Sequence, residues 1–394
     1  MANKTGTAAI SQKPGDSESV AKAPAYLAGD DRHYRKLGLS LTPEPWEDGL
    51  RTSGKKGSYE WWYVDAEFHG GTKVVVVFFT KYKFDLKGPA QPTAQIEITL
   101  PDGRAIKREV SERKGSLIRA SRDKCDCIIR DCYIRDCGEY YEVRYEDEEV
   151  VFDCRMHPKM KMWRPATGHW LHGGKEEIYS AWFVALPSAD VAATLKIGDE
   201  SRTLNGYGYH DHNWGNIEMY KVCNHWYWAR IVFEGYTIIA CDIIATKKYG
   251  YARHPIIMIA RDGRLIDDNN MITEIIREDT VRHPITKKFV DNVLTFIQRS
   301  PDGSVYKIKL KRQSDTICLS LLADLKWPPL AIRLARLVGI NPTYTRHAGV
   351  AELVVTDVDG AENVISGGAI WEQMSFGANK SARINDFRQT ASTG

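Results

Sequence analysis

From Ser58 onward the chain is a succession of short apolar runs closed by turn residues, and this texture limits the fold more than any other feature. "YEWWYVDAEF" and "TKVVVVFF" flank a His-Gly-Gly turn, the pattern of a β-hairpin. "TAQIEITL", "PDGR" and "AIKREV" repeat the strand–turn–strand unit. Further strand-length runs follow, among them "HWYWARIVF", "YTIIACDIIA", "PIIMIAR", "VLTFIQR", "VYKIKLKR" and "VAELVVTDV". Strands recurring at roughly ten-residue spacing predict an all-β chain of sandwich or barrel type. The 394 residues exceed what one hydrophobic core usually serves, so two domains are expected, over 36–216 and 217–385. Residues 1–35, rich in Ser, Gly, Ala, Lys and Asp, read as a disordered leader. One segment breaks the β texture. Residues 319–340 predict a short helical insertion, with Leu330, Ile332, Leu334 and Leu337 close to one stripe and Arg333 and Arg336 off it. Such a helix fits a lid packed over a barrel mouth, and it also fits weak contact with a membrane surface.

Composition removes several classes of function. Lys and Arg number 54 against 51 Asp and Glu, a balance that gives no footprint for nucleic acid. The first residues carry no apolar signal core, and no run reaches the roughly 18 apolar residues of a spanning helix. Five of the eight cysteines crowd between Cys125 and Cys154 in a spacing that matches no usual zinc module. Without a secretory signal they read as free thiols, and the expected location is cytoplasmic. No nucleophile elbow, phosphate-binding loop or dinucleotide fingerprint occurs.

The densest chemistry lies in "GYGYHDHNWGN", Gly206–Asn216. Extended backbone sends alternate side chains to opposite faces. Tyr209, Asp211 and Asn213 then share one face, and His210, His212 and Trp214 the other. A carboxyl in an apolar setting resists ionisation and becomes a general acid. Tyr209, His210, Asp211 and His212 are therefore the candidate catalytic set. An H-x-H metal pair with His225 or His172 competes but lacks a zinc pattern, and no metal is expected. Aromatic strands nearby supply apolar surface for a ligand: Trp62 and Tyr63 upstream, then Tyr179 and Trp182, Trp214, then His225, Trp226, Tyr227 and Trp228, and finally Trp371 and Glu372. A hairpin is expected to set "NHWYWARIVF" beside the Asp211 strand, with "RPATGHWLHGG" a loop near them.

Four stretches, "YEWWYVDA", "GYGYHDHNWGN", "WYWARI" and "SGGAIWEQMSFG", together resemble the AttH/CrtC lipocalin-like family. That family includes carotenoid 1,2-hydratases, with decalin-forming Diels–Alderases as more distant relatives. The resemblance implies two lipocalin-like β-barrel or sandwich domains, an apolar pocket in or between them, and no organic cofactor. It also implies a hydrophobic small-molecule substrate whose alkene is protonated by Asp211, with Tyr209 beside it, followed by hydration or cyclisation. Pericyclic ring closure without proton transfer, and carriage of an apolar ligand without chemistry, are the alternatives.

Overall fold

The computed structural model describes residues 24–81, 86–233, 235–324, 328–337 and 341–377. Its strands form two antiparallel sheets. The first holds β1 (Ala25–Leu27), β2 (Tyr59–Phe68), β3 (Lys73–Phe79), β4 (Thr93–Thr99), β5 (Ala105–Ser111), β6 (Arg119–Ala120), β7 (Asp126–Ile129), β8 (Cys132–Asp136), β9 (Tyr141–Glu146), β10 (Val150–Pro158), β11 (His169–His172), β12 (Ile178–Ile197) and β13 (Glu200–Gly215). They run in the order β5-β4-β3-β2-β13-β12-β10-β9-β8-β7-β6, with β11 on β12 and β1 on β11. The second holds β14 (Cys223–Phe233), β15 (Tyr236–Ala245), β16 (Arg253–Arg261), β17 (Arg264–Asp267), β18 (Glu274–Arg282), β19 (Phe289–Arg299), β20 (Val305–Ser320), β21 (Thr343–Thr356) and β22 (Glu362–Ser375). Their order is β17-β16-β15-β14-β22-β21-β20-β19-β18. The all-β expectation is met.

Each sheet has its own core. Alternating residues of β2, β3 and β4, such as Val64, Val76 and Ile96, bury against Phe152, Phe183 and Tyr145 in the first. Ile238, Ile257, Phe296, Ile308 and Leu353 do the same in the second. A third cluster joins the sheets through Trp163, Trp182, Val184 and Tyr209 on one side and Ile239, Cys241, Ile256 and Met258 on the other. The eight cysteines are free thiols, most of them buried as small apolar side chains.

Three expectations need correction, and the expected helical insertion is present. Residues 24–35 are not leader: β1 pairs with β11, and the helix α1 (Asp31–Leu37) starts on the Asp30 side chain, which accepts the His33 N–H at 2.8 Å. Residues 1–23 lie outside the described residues. "HWLH" is not loop but β11, held at the sheet margin by that same pairing. The strand of His225–Arg230 makes no hairpin with β13, because "NIEMYKV" carries the chain through the short helix α2 (Met219–Val222) into the other sheet, where β14 pairs with β15 and β22. The insertion forms α3 (Leu321–Asp324) and α4 (Pro329–Leu337), residues 325–327 and 338–340 lying outside the described set. Along α4, Leu330, Leu334 and Leu337 are 67, 55 and 81 % exposed, while Ala335 is buried. These three leucines of α4 are thus not packed against the sheets, whereas Leu319 and Leu321 at the start of the insertion line the cavity between them. Among the described residues no helix is long and apolar enough to cross a membrane.

Candidate active site

The sheets face one another across a cavity of about 290 Å³. Its walls come from both: Trp61, Tyr63, Trp170, Trp182 and Asp211 on the first, Trp226, Trp228, Tyr344, Arg346 and Glu372 on the second. This cavity is thus walled by both sheets, not enclosed within one of them.

β13 lies in the middle of its sheet, paired with β12 and β2, so both of its faces are covered. Register places Asp211 between Val184 and Tyr63, and Asn213 between Trp182 and Trp61. The odd-numbered face, Tyr209-x-Asp211-x-Asn213, looks toward the second sheet. Asp211 lies on the cavity wall, and its carboxyl accepts three hydrogen bonds: from Tyr209 Oη at 2.7 Å and Trp182 Nε1 at 2.9 Å on Oδ2, and from Asn213 Nδ2 at 2.8 Å on Oδ1. Burial pushes its pKa upward; the Tyr209 and Trp182 donors and the nearby His210 pull it back, and the result is about 7. The Tyr209 phenol is itself driven well above its ordinary range by burial and by Asp211. It meets Trp228 across the interface at 5.3 Å between ring centroids, and Arg230 closes the contact with an ion pair of 2.5 Å to Asp65.

The even-numbered face does something else. Gly206, Gly208, His210, His212 and Trp214 point into the first sheet's core. A Cβ on Gly208 would meet Met156 Cε at 2.5 Å and Val191 Cγ2 at 2.6 Å, which is why that position carries no side chain. His210 and His212 are fully buried. His210 Nδ1 donates to the Tyr63 carbonyl at 2.9 Å and Nε2 to Asp48 Oδ2 at 3.0 Å. Burial pushes the His210 pKa down, but Asp48 outweighs it and the imidazolium is favoured. His212 Nε2 sits 2.9 Å from Glu60 Oε1, and the Trp62 ring stacks on the His212 ring at 4.5 Å. Glu60 in turn accepts the backbone N–H groups of Arg51 and Thr52. The two histidines thus fasten the segment 45–60 to the sheet. They do not reach the cavity, and the expectation that they join the catalytic set is corrected.

The aromatic expectations divide in the same way. Tyr63, Trp182, Trp226, Trp228 and Glu372 line the cavity. Trp62 and Trp214 belong to the core face. Tyr179 borders the first core, His225 is buried beside Asn224 and Arg277, and Tyr227 points into the second core, where its Oη accepts the Asp291 N–H at 3.0 Å. Trp371 lies on a second cavity of about 490 Å³ that adjoins the first. Trp61 and Trp170, in two of the stretches read as neighbours of the site, also line the first cavity, while sequence reasoning missed Tyr344 and Arg346. Strict alternation against Asn213 identifies Trp61, but Arg346 stands in a strand with no distinguishing motif.

Among the described residues, two groups bring His, Cys and acid side chains within metal-ligand distance of one another. In Asp48–Cys125–His210, both His210 nitrogens already donate to oxygens, so neither offers a lone pair. In His283–Asp315–Cys318, His283 Nδ1 accepts two backbone N–H groups, which places its proton on Nε2 toward Asp315, and Arg312 holds the same carboxylate. Both are hydrogen-bonded ion networks.

A family model described as Diels-Alderase-like matches residues 156–313. Hydroxyneurosporene dehydrogenase of Chlorobaculum tepidum is 25 % identical over 241 residues, which cover 52 % of this chain and 60 % of that protein. The chain therefore spans less than two thirds of that relative's length. A Nitrosomonas europaea protein described as AttH superposes with a TM-score of 0.56 at 16 % identity, over 86 % of this chain and 98 % of its own. CghA, solved with Sch210972, gives a TM-score of 0.56 at 12 % identity, over 86 % of this chain and 97 % of its own. At these identities the two superpositions establish a common fold.

Proposed function

We propose, for a chain that belongs to the AttH/CrtC-like family, that it is a cofactor-independent enzyme acting on a C=C bond of a hydrophobic terpenoid or polyketide-type molecule, with Asp211 as proton donor. One observation carries this reading: a carboxyl on the wall of an aromatic chamber, held near a pKa of about 7 by burial. Near neutral pH such a group exists in both forms, as an acid that must later act as a base requires.

In the proposed step the alkene π pair takes the proton of Asp211, leaving a carboxylate and a carbocation. The indole faces of Trp61, Trp182, Trp226 and Trp228 suit that cation. A water oxygen then bonds to the cationic carbon and gives a proton back to the carboxylate, for net hydration. If a second C=C supplies the electron pair instead, a ring closes and a carbon next to the new cation gives its proton to the Asp211 carboxylate as a C=C forms, for net isomerisation. The donors Tyr209, Trp182 and Asn213 stabilise the transient carboxylate in either case.

The test incubates the protein in D2O with acyclic isoprenoids such as farnesol and geranylgeraniol, and with linear polyenyl β-ketoacids. Products are read by mass spectrometry. The expected result is a product with one carbon-bound solvent deuterium, absent with Asp211→Asn. Turnover by Asp211→Asn at the wild-type rate refutes the proton-donor role. The Diels-Alderase-like match over residues 156–313 favours a second reading, pericyclic closure by a chamber that holds the reacting carbons together. It predicts product without deuterium, formed by Asp211→Asn but lost when the cavity wall is altered. A ligand that binds and is recovered unchanged identifies a carrier.

A further inference from the structure

The cavity contains a cation that the proton-transfer step does not use. Arg346 on β21 lines both the aromatic cavity and the adjoining one, together with Tyr63, Val75, Trp228 and Glu372. Four other arginines withdrawn from solvent each sit on a carboxylate: Arg164 on Glu47 at 2.6 Å, Arg230 on Asp65 and Arg253 on Asp242 at 2.5 Å, and Arg277 also on Asp242. Arg346 differs. Its Nε donates to the Tyr344 phenol at 3.1 Å, and among the described residues no carboxylate oxygen comes within 4.0 Å of its guanidinium. Glu372 stands across from it on β22, but its carboxylate accepts a hydrogen bond from Trp226 Nε1, at 3.3 Å. The two Nη groups of Arg346 thus carry no protein acceptor among the described residues, and Arg346 stands on the wall of a chamber lined by ten Trp, Tyr and Phe side chains.

A guanidinium withdrawn from water with no carboxylate in contact, only Glu372 acting from across the strand pair, is costly unless an anion joins it. Its planar fork of N–H donors matches two oxygens at once, as in a carboxylate or an enolised β-dicarbonyl. We propose that Arg346 is the anchor for such an oxyanion, carried at one end of a ligand whose apolar body lies along the tryptophan wall. This rests on the reading of the cavity as the substrate chamber. It narrows the substrate class to amphipathic molecules with one acidic oxygen group, and it gives Arg346 the role of fixing which double bond stands at Asp211.

The test uses a fluorescent polyene acid, cis-parinaric acid, and its methyl ester, titrated separately at pH 8. Wild-type protein binds the acid at least about 10-fold more tightly than the ester, the scale of a charge-assisted bidentate contact. Arg346→Met brings the ratio to about one, and Arg346→Lys retains a preference for the acid. If acid and ester bind wild type alike, the anchor is overturned and the apolar chamber stands. If neither binds, the chamber reading falls and the anchor with it. Should Arg346→Met fail to fold, the wild-type ratio and the Lys variant decide the matter without it.

Discussion

Replacing Asp211 with Asn should change how stability depends on pH. The Asp211 carboxyl has a pKa of about 7 in the folded chain against an ordinary value of 3.8. Its folded pKa is raised, so its contribution to stability is fully present below about pH 4 and is lost as pH rises through about 7. At about 1.4 kcal/mol per pH unit, that span corresponds to about 4 kcal/mol of destabilisation in alkaline solution. Asn is nearly isosteric and never ionises, so it escapes this loss. The two proteins share every other titrating group, and the difference between them isolates Asp211. Urea unfolding followed by tryptophan fluorescence, from pH 4 to pH 8.5, should show the Asn variant gaining on wild type by about 4 kcal/mol across the range. Parallel curves would mean that Asp211 ionises like an ordinary carboxylate, and the argument for a neutral acid in the cavity would fail.

Three further outcomes follow from the same geometry. Tyr209→Phe removes a donor to the Asp211 carboxylate, so the pH at which activity declines on the alkaline side should move upward by about one unit, read from a pH–rate profile. His212→Leu leaves Glu60 buried beside an apolar side chain and should cost about 3–5 kcal/mol by denaturant unfolding, while parinaric ester binding by the folded protein is unchanged. Gly208→Ala forces Met156 and Val191 aside and should cost about 1–3 kcal/mol in the same assay, with no change in the pH at which Asp211 titrates.

Much of the fold is legible because period-two alternation and turn residues are local properties. β2, β3, β4 and β5 and their turns read directly from Tyr59–Ser111. The same period correctly sorts Tyr209, Asp211 and Asn213 from His210, His212 and Trp214. It does not say which face meets a cavity. The glycines hold the missing clue: Gly206 and Gly208 share the histidine face, and alternate glycines in a central strand mark close approach by packed neighbours rather than open space. The partner that explains His210, Asp48, lies 162 residues away on a short turn, Pro45–Asp48, and no local pattern links them. Arg346 was silent for a related reason. Its significance comes from the lack of a carboxylate in ion-pair contact among the described residues, a property of the assembled sheets and not of β21. Likewise, the meeting of β13 with β14 across an interface, rather than through a hairpin, depends on α2 turning the chain into a second sheet.

The most direct measurement is an NMR titration of the aspartate carboxyl carbons in ¹³C-labelled protein, with Asp211→Asn used to identify the signal. The account predicts one carboxyl that titrates near pH 7, is missing from the variant, and shifts when parinaric methyl ester fills the cavity. A signal assigned to Asp211 that titrates near pH 4 and ignores the ester would contradict it.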